Sequence, residues 1–181
     1  MDVAAAWNFL EQSDLVASAD EVQAALRRVA SDIQARLAER YPLVLAVMGG
    51  AVVFAGQLLP LLRFPLDFDY IHVSRYGAGT RGAAVDWRVT PTESVRGRAV
   101  LVVDDILDGG DTMAAIRERL LALGAEAFHC AVLVEKVLGK EKPIRADFVG
   151  LRIPDRFVFG YGMDAKGYWR NLPEIRAMHG H

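Results

Sequence analysis

Val100-Leu-Val-Val-Asp104-Asp105-Ile-Leu-Asp108-Gly109-Gly110-Asp111-Thr112 joins an unbroken apolar run to a cluster of carboxylates and a glycine pair. The five residues Ala99–Val103 are all apolar and mostly β-branched, so they read as a buried strand. Asp111 or Thr112 then starts a helix whose apolar positions Met113, Ile116, Leu120 and Leu123 recur at helical spacing, with Gly124 placed to end it. Between the two, Gly109 and Gly110 let the backbone turn tightly and bring N–H groups close to a ligand. The start of the helix offers unpaired N–H groups and the positive end of its dipole, which together favour an anion. The acids ask for the opposite. Asp104, Asp105 and Asp108 repel one another unless they face hydroxyls, a cation or a developing positive charge.

Outward from this stretch, strands and helices alternate. Leu43–Met48 and Ala127–Val134 read as further buried strands, and Leu66–Ser74 alternates apolar and polar residues like a strand with one covered face. Ala51–Leu62 reads as a helix. The residues up to Glu39 also read as helical, with Ser18 or Asp20 as cap and Val22, Ala25, Leu26, Val29, Ile33 and Leu37 on one face. Asp147–Ile153 and Phe157–Tyr161 look like short strands joined through Pro154. Residues 75–98, rich in Gly, Thr and Arg, have no sustained period and suit a functional flap or a hairpin. The alternation predicts an α/β fold, a parallel sheet with helices on both faces and ligands bound beyond the carboxyl ends of its strands. A phosphate next to a polyol with a cationic transition state satisfies both the loop and the acids. Ribose 5-phosphate carrying a diphosphate leaving group is such a ligand.

The length of 181 residues fits one domain, and 52% hydrophobic residues supply its core. A net charge of -2 without a Lys/Arg run gives no nucleic-acid footprint. The uncharged stretch Tyr41–Leu62 is long enough to span a bilayer. Gly49-Gly50, Gln57 and Pro60 break it into a strand–turn–helix unit, so no membrane segment is expected. Asp2, Glu11 and Asp14 are unlike a signal peptide, and the single Cys130 fits a reducing, cytoplasmic setting.

The acidic strand end resembles the phosphoribosyl-diphosphate signature of the type I phosphoribosyltransferases: an apolar strand, two acids, two apolar residues, then Asp-x-Gly-x-Thr. Asp104, Asp105, Asp108, Gly110 and Thr112 match it. Four more stretches, at family-like order and spacing, are similar to the hypoxanthine-guanine branch. They are Val47-Met48-Gly49-Gly50, Val73-Ser74-Arg75-Tyr76, Leu133-Val-Glu-Lys136, and Ile153 to Asp164 with Tyr168-Trp169-Arg170-Asn171-Leu172.

The resemblance implies a twisted, mainly parallel sheet flanked by helices (core about 40–150), with a small hood from about 1–20 and 151–181. It also implies a magnesium-dependent transfer of a phosphoribosyl group to a 6-oxopurine. On that basis Asp104 and Asp105 hold ribose hydroxyls and Asp108 acts as acid/base near purine N7. Gly109, Gly110, Asp111 and Thr112 bind phosphate. Met48 and Gly49 bind the diphosphate through the backbone, with a cis peptide expected at Val47–Met48. Relatives often carry a basic residue at the position of Met48, and Ser-Tyr where this chain has Arg75-Tyr76 in the mobile loop. Lys136 donates to the purine oxo group, Phe157 stacks on the base and Val158 reads its edge through the backbone. Arg170 contacts the diphosphate, and Asp164 with Asp104 ligates Mg2+. A homodimer or homotetramer is implied as well.

Two rival readings carry less. A regulator of the same fold that binds phosphoribosyl diphosphate without turnover needs a nucleic-acid surface, and no basic cluster is evident. A receiver-like signalling domain wants its acids after the first strand, whereas here four elements precede them. No P-loop motif and no zinc spacing of His and Cys occur.

Overall fold

The computed structural model describes residues 2–75 and 85–179. Helix α1 (Val3–Glu11) is followed by strand β1 (Ser13–Ala17) and the long helix α2 (Ala19–Leu37). Of the two candidate caps, Ser18 is the one used. Its Oγ accepts from the Glu21 N–H, and Glu21 Oε2 accepts from the Ser18 N–H at 2.8 Å. This reciprocal pair satisfies two otherwise orphaned donors. The opening segment is therefore not helical throughout. Ser13–Ala17 pairs antiparallel with β9 (Ile175–Met178), a partner some 160 residues away that local periodicity does not reveal.

The main sheet has the order β4-β3-β2-β5-β6-β7, formed by β2 (Leu43–Met48), β3 (Asp67–Arg75), β4 (Val85–Val89), β5 (Ala99–Leu107), β6 (Ala127–Val137) and β7 (Phe148–Pro154). All neighbours are parallel except β3 and β4, which pair antiparallel. The two faces are covered separately. On one, α2 and α3 (Val52–Leu58) pack against Val44, Ala46, Leu101 and Leu133. On the other, Met113, Ile116 and Leu120 of α4 (Asp111–Ala122) pack against Leu45, Val100, Val102 and Val132. The α/β expectation holds. A second, antiparallel sheet, β1-β9-β8, with β8 limited to Val158–Phe159, brings both ends of the chain together.

Two expectations change for identifiable reasons. Pro60 lacks an N–H, so α3 stops at Leu58 and Leu59–Leu61 forms a 3-10 turn. Phe68 and Tyr70, expected on the covered face of β3, are each 45% exposed, because α3 packs on β2 and β5 instead. Residues 75–98 contain the β4 hairpin strand and a 3-10 turn, Glu93–Val95. Among the described residues, no helix is long and apolar enough to cross a membrane.

Candidate active site

The carboxyl end of β5 carries the acids. The strand runs on through Asp104 and Asp105 to Leu107, four residues past the apolar core of the sequence pattern. Both carboxylates are half-buried, and Asp104 Oδ1 accepts from the Asp105 N–H at 2.9 Å. Burial pushes the Asp104 carboxyl well above its usual range, and the neighbouring Asp105 charge adds to the shift. Burial raises Asp105 too, opposed by its hydrogen bond with Asp104 and by the Arg170 charge. These acids are held short of counter-charge, ready for a cation or a cationic transition state.

Beyond Leu107 the chain turns through exposed Asp108, half-buried Gly109 and buried Gly110 into α4. Gly110 sits at φ +89° as the residue before the helix, a backbone state that suits glycine. Asp104, Asp105, Asp108, Gly109, Gly110 and Thr112 line a pocket of about 220 Å³ at the start of this helix. Asp111 is the first helical residue.

Two clusters flank the pocket. On the β6 side, the Lys136 ammonium lies 3.2 Å from Asp108 Oδ2 and 3.4 Å from Asp155 Oδ1, with 11% of its side chain exposed. On the β2 side, the turn after Met48 presses against Asp105: a Cβ at Gly50 would lie 1.8 Å from Asp105 Oδ2. Gly162 in turn packs on the Gly50 carbonyl. Arg170 donates to the Gly162 carbonyl at 2.6 Å and pairs with Asp164 Oδ1 at 2.5 Å. The other Asp164 oxygen accepts from the Gly167 N–H at 2.7 Å. Arg170 and Asp164 thus belong to the Asp105 side of the site.

The cis peptide is at Met48–Gly49, not at Val47–Met48. Met48 still pairs with His72 in the β2–β3 ladder, so extended strand continues through it and the turn begins one residue later. Phe157 is 45% exposed and shares an apolar pocket of about 290 Å³ with Phe9, Lys166 and Met178. Val158 is buried and pairs with Ala177 across β8 and β9. Arg75 ends β3 opposite Val85; Tyr76 lies outside the described residues.

Sequence reasoning missed the second Lys136 partner, Asp155, and it missed Lys142, whose ammonium bonds the carbonyls of Leu107 and Lys136. No period or spacing marks a loop lysine of this kind. The Gly50–Gly162 contact was equally hidden, although the pair Gly160 and Gly162 around Tyr161 was a signal of an unusual turn.

Among the described residues, no group of three or more His, Cys, Asp or Glu is arranged to hold a metal by itself. The donor set still fits magnesium. That ion takes hard oxygens, keeps several waters, and is commonly held by one or two carboxylates together with substrate phosphates. The underneutralised Asp104–Asp105 pair beside an anion-binding loop offers that chemistry.

Comparison with known proteins agrees with this geometry. The family model described as "Phosphoribosyl transferase domain" matches residues 16–166. The chain is 32% identical over 159 residues to the hypoxanthine-guanine phosphoribosyltransferase of Bacillus subtilis, covering 87% of this chain and 88% of that one. It is 31% identical to the Streptococcus pneumoniae enzyme of the same name, covering 89% and 90%. A crystal structure of a hypoxanthine-guanine phosphoribosyltransferase from Bacillus anthracis superposes with a TM-score of 0.85 at 29% identity, covering 91% of this chain and 98% of that one. By its acidic strand end, its phosphate loop and its sequence, the chain belongs to the phosphoribosyl transferase domain family.

Proposed function

We propose that the protein serves purine salvage, transferring the 5-phosphoribosyl group of phosphoribosyl diphosphate to N9 of hypoxanthine or guanine and releasing diphosphate. The observation that carries this reading is the Lys136–Asp108 pair, a cationic donor 3.2 Å from a carboxylate that itself lines the phosphate pocket. An ammonium donates to an oxo group and repels nothing on it, whereas the amino group of adenine presents donors of its own.

In the reaction, the C1′–O bond to diphosphate breaks and the C1′–N9 bond forms. The purine enters with its proton on N7, and Asp108 accepts that proton as N9 attacks. Asp104 and Asp105 hold the ribose hydroxyls, and their negative charge favours the positive sugar ring of the transition state. Gly109, Gly110, Asp111 and Thr112 cradle the 5-phosphate at the start of α4. The backbone of Met48 and Gly49, with Arg170, binds the diphosphate. Phe157 stacks on the base and the Val158 backbone meets its edge. Arg75, at the end of β3, and Tyr76 after it serve to exclude water from the reacting sugar. Asp104, with Asp164 once it is released from Arg170, would hold magnesium, which would supply neutralisation of the diphosphate charge.

Supplying hypoxanthine, guanine, xanthine and adenine separately, with Mg2+ and phosphoribosyl diphosphate, tests the reading by absorbance. Turnover of hypoxanthine or guanine but not adenine is expected. Binding of phosphoribosyl diphosphate with no turnover of any base would replace the reading with that of a non-catalytic regulator. The buried Cys130 thiol supports a cytoplasmic setting, and the exposed Phe68 and Tyr70 on β3 support a homodimer or homotetramer, which light scattering checks.

A further inference from the structure

Lys142 lies in the loop between β6 and β7, yet its side chain is only 9% exposed. Its Nζ donates to the Leu107 carbonyl at 2.9 Å and to the Lys136 carbonyl at 2.6 Å. The position of these two acceptors matters. The β5–β6 ladder ends with Leu107 opposite Glu135. The residue that follows β5 is Asp108, and the next of β6 is Lys136. Past that last rung no backbone pairing sets the separation of the two strand ends; Lys136 pairs with Ile153 on its other side. The ammonium therefore bridges β5 and β6 where their ladder stops, beside the two residues that meet the base. Glu135, 3.8 Å away, supplies the counter-charge. Asp108 and Lys136 also act on the ammonium electrostatically, and burial lowers its proton affinity.

A loop anchor alone does not account for this arrangement. Ile144, from the same loop, is already buried in the α4-side core and packs on Gly110, so the loop is held without the lysine. A fixed cation bonded to two carbonyls, one on each strand, sets a distance.

We propose that Lys142 is a positioning residue of the base-handling end of the site, tying Leu107 to Lys136 and so fixing how far Asp108 stands from Lys136. This rests on the functional reading above. With Lys142→Met, which keeps the apolar stem and removes the donors, the two groups no longer hold a common spacing against the purine. Lys142→Met keeps the stem that packs on Gly110, and Pro143 and Ile144 still seat that glycine, so phosphate binding at the start of α4 and the Arg170 side of the site change little.

The test combines steady-state kinetics with amide hydrogen exchange on the whole protein and on Lys142→Met and Lys142→Arg. In Lys142→Met the purine KM should rise roughly tenfold, as small misplacements of binding groups do, while the KM for phosphoribosyl diphosphate changes by less than about twofold. Exchange should accelerate in segments 106–110 and 135–138 and stay unchanged in α2 and β2. Lys142→Arg, which again offers two donors, should restore most of the purine KM. An unchanged purine KM, or a parallel rise of both KM values with a lowered melting temperature, would overturn the proposal. Unchanged exchange at 106–110 and 135–138 would overturn it too, whatever the kinetics. If the unaltered protein turns over no 6-oxopurine, the functional reading fails, and the exchange result still decides whether Lys142 ties the two strands.

Discussion

Gly50 and Asp105 approach so closely that a Cβ on residue 50 would lie 1.8 Å from a carboxylate oxygen of Asp105. The absence of a side chain in the first turn after β2 is therefore what gives the second acid of β5 its place. In Gly50→Ala the carboxylate is the part that yields, since it is the free end of a side chain. Folding should survive with a small drop in melting temperature, while activity falls by about two orders of magnitude, the scale expected when a group that stabilises transition-state charge is displaced. Activity within a few-fold of the unaltered protein would mean that Asp105 has another workable position.

Gly162 gives a contrasting case. It adopts φ +102°, and its added Cβ would meet the Gly50 carbonyl oxygen at 2.0 Å, which is backbone and has little freedom to retreat. Gly162→Ala should cost about 1–3 kcal/mol for the left-handed backbone alone, with the clash added to that. Denaturant unfolding reads this directly, and a midpoint unchanged from the parent would contradict it.

Asp108→Asn separates chemistry from folding. Its side chain is 56% exposed, and its partner Lys136 keeps Asp155, so the melting temperature should barely move. Turnover should fall about 10²–10⁴-fold, the usual worth of a positioned acid or base, while binding of phosphoribosyl diphosphate persists. Near-normal turnover would remove Asp108 from the proton-transfer role.

The acidic strand end was readable because its chemistry is contiguous. An apolar strand, the carboxylates Asp104, Asp105 and Asp108, two glycines and a helix start at Asp111 lie within Val100–Thr112, and their order along the chain is their order in space. The alternation of strands and helices revealed the sheet for the same local reason. What escaped depends on residues far apart. Strand β1 exists because Ile175–Met178 pairs with it, and nothing in Ser13–Ala17 announces that partner. The Gly50–Gly162 contact joins the β2 turn to the segment after β8. Lys142 reads as an ordinary loop lysine until folding brings Leu107 and Lys136 to it. The cis peptide was displaced by one residue because the end of β2 is set by its ladder with β3, which the sequence of β2 alone does not show.

Lys136→Met tests base selection. The lysine is mostly buried, but the carboxylates it leaves behind on Asp108 and Asp155 are exposed, so little stability is at stake. Losing a hydrogen bond from a charged donor should lower kcat/KM for hypoxanthine and guanine by about 10- to 100-fold. Adenine, which gains nothing from an ammonium, should change much less, so the preference ratio collapses. An equal fall for all bases would show that Lys136 shapes the site without reading the oxo group.

The raised Asp104 carboxyl has a consequence for stability against pH. Its proton affinity is higher in the folded chain than the usual value near 3.8, chiefly through burial and then through the Asp105 charge. A bound proton at Asp104 therefore stabilises the folded state. That contribution is complete below about pH 3.8 and is lost as pH rises from there through the raised folded value. At neutral pH, without Mg2+ or substrate, the ionised group is a net cost. Asp104→Asn removes the charge and keeps the shape, so it should be more stable than the parent at pH 7–8, with the advantage shrinking as pH falls toward the ordinary carboxylate range. Urea midpoints across this range measure the difference. Parallel curves would show that Asp104 does not titrate differently in the folded and unfolded states. Under the proposed mechanism the same variant should also lose activity, because the charge it removes favours the positive sugar ring of the transition state.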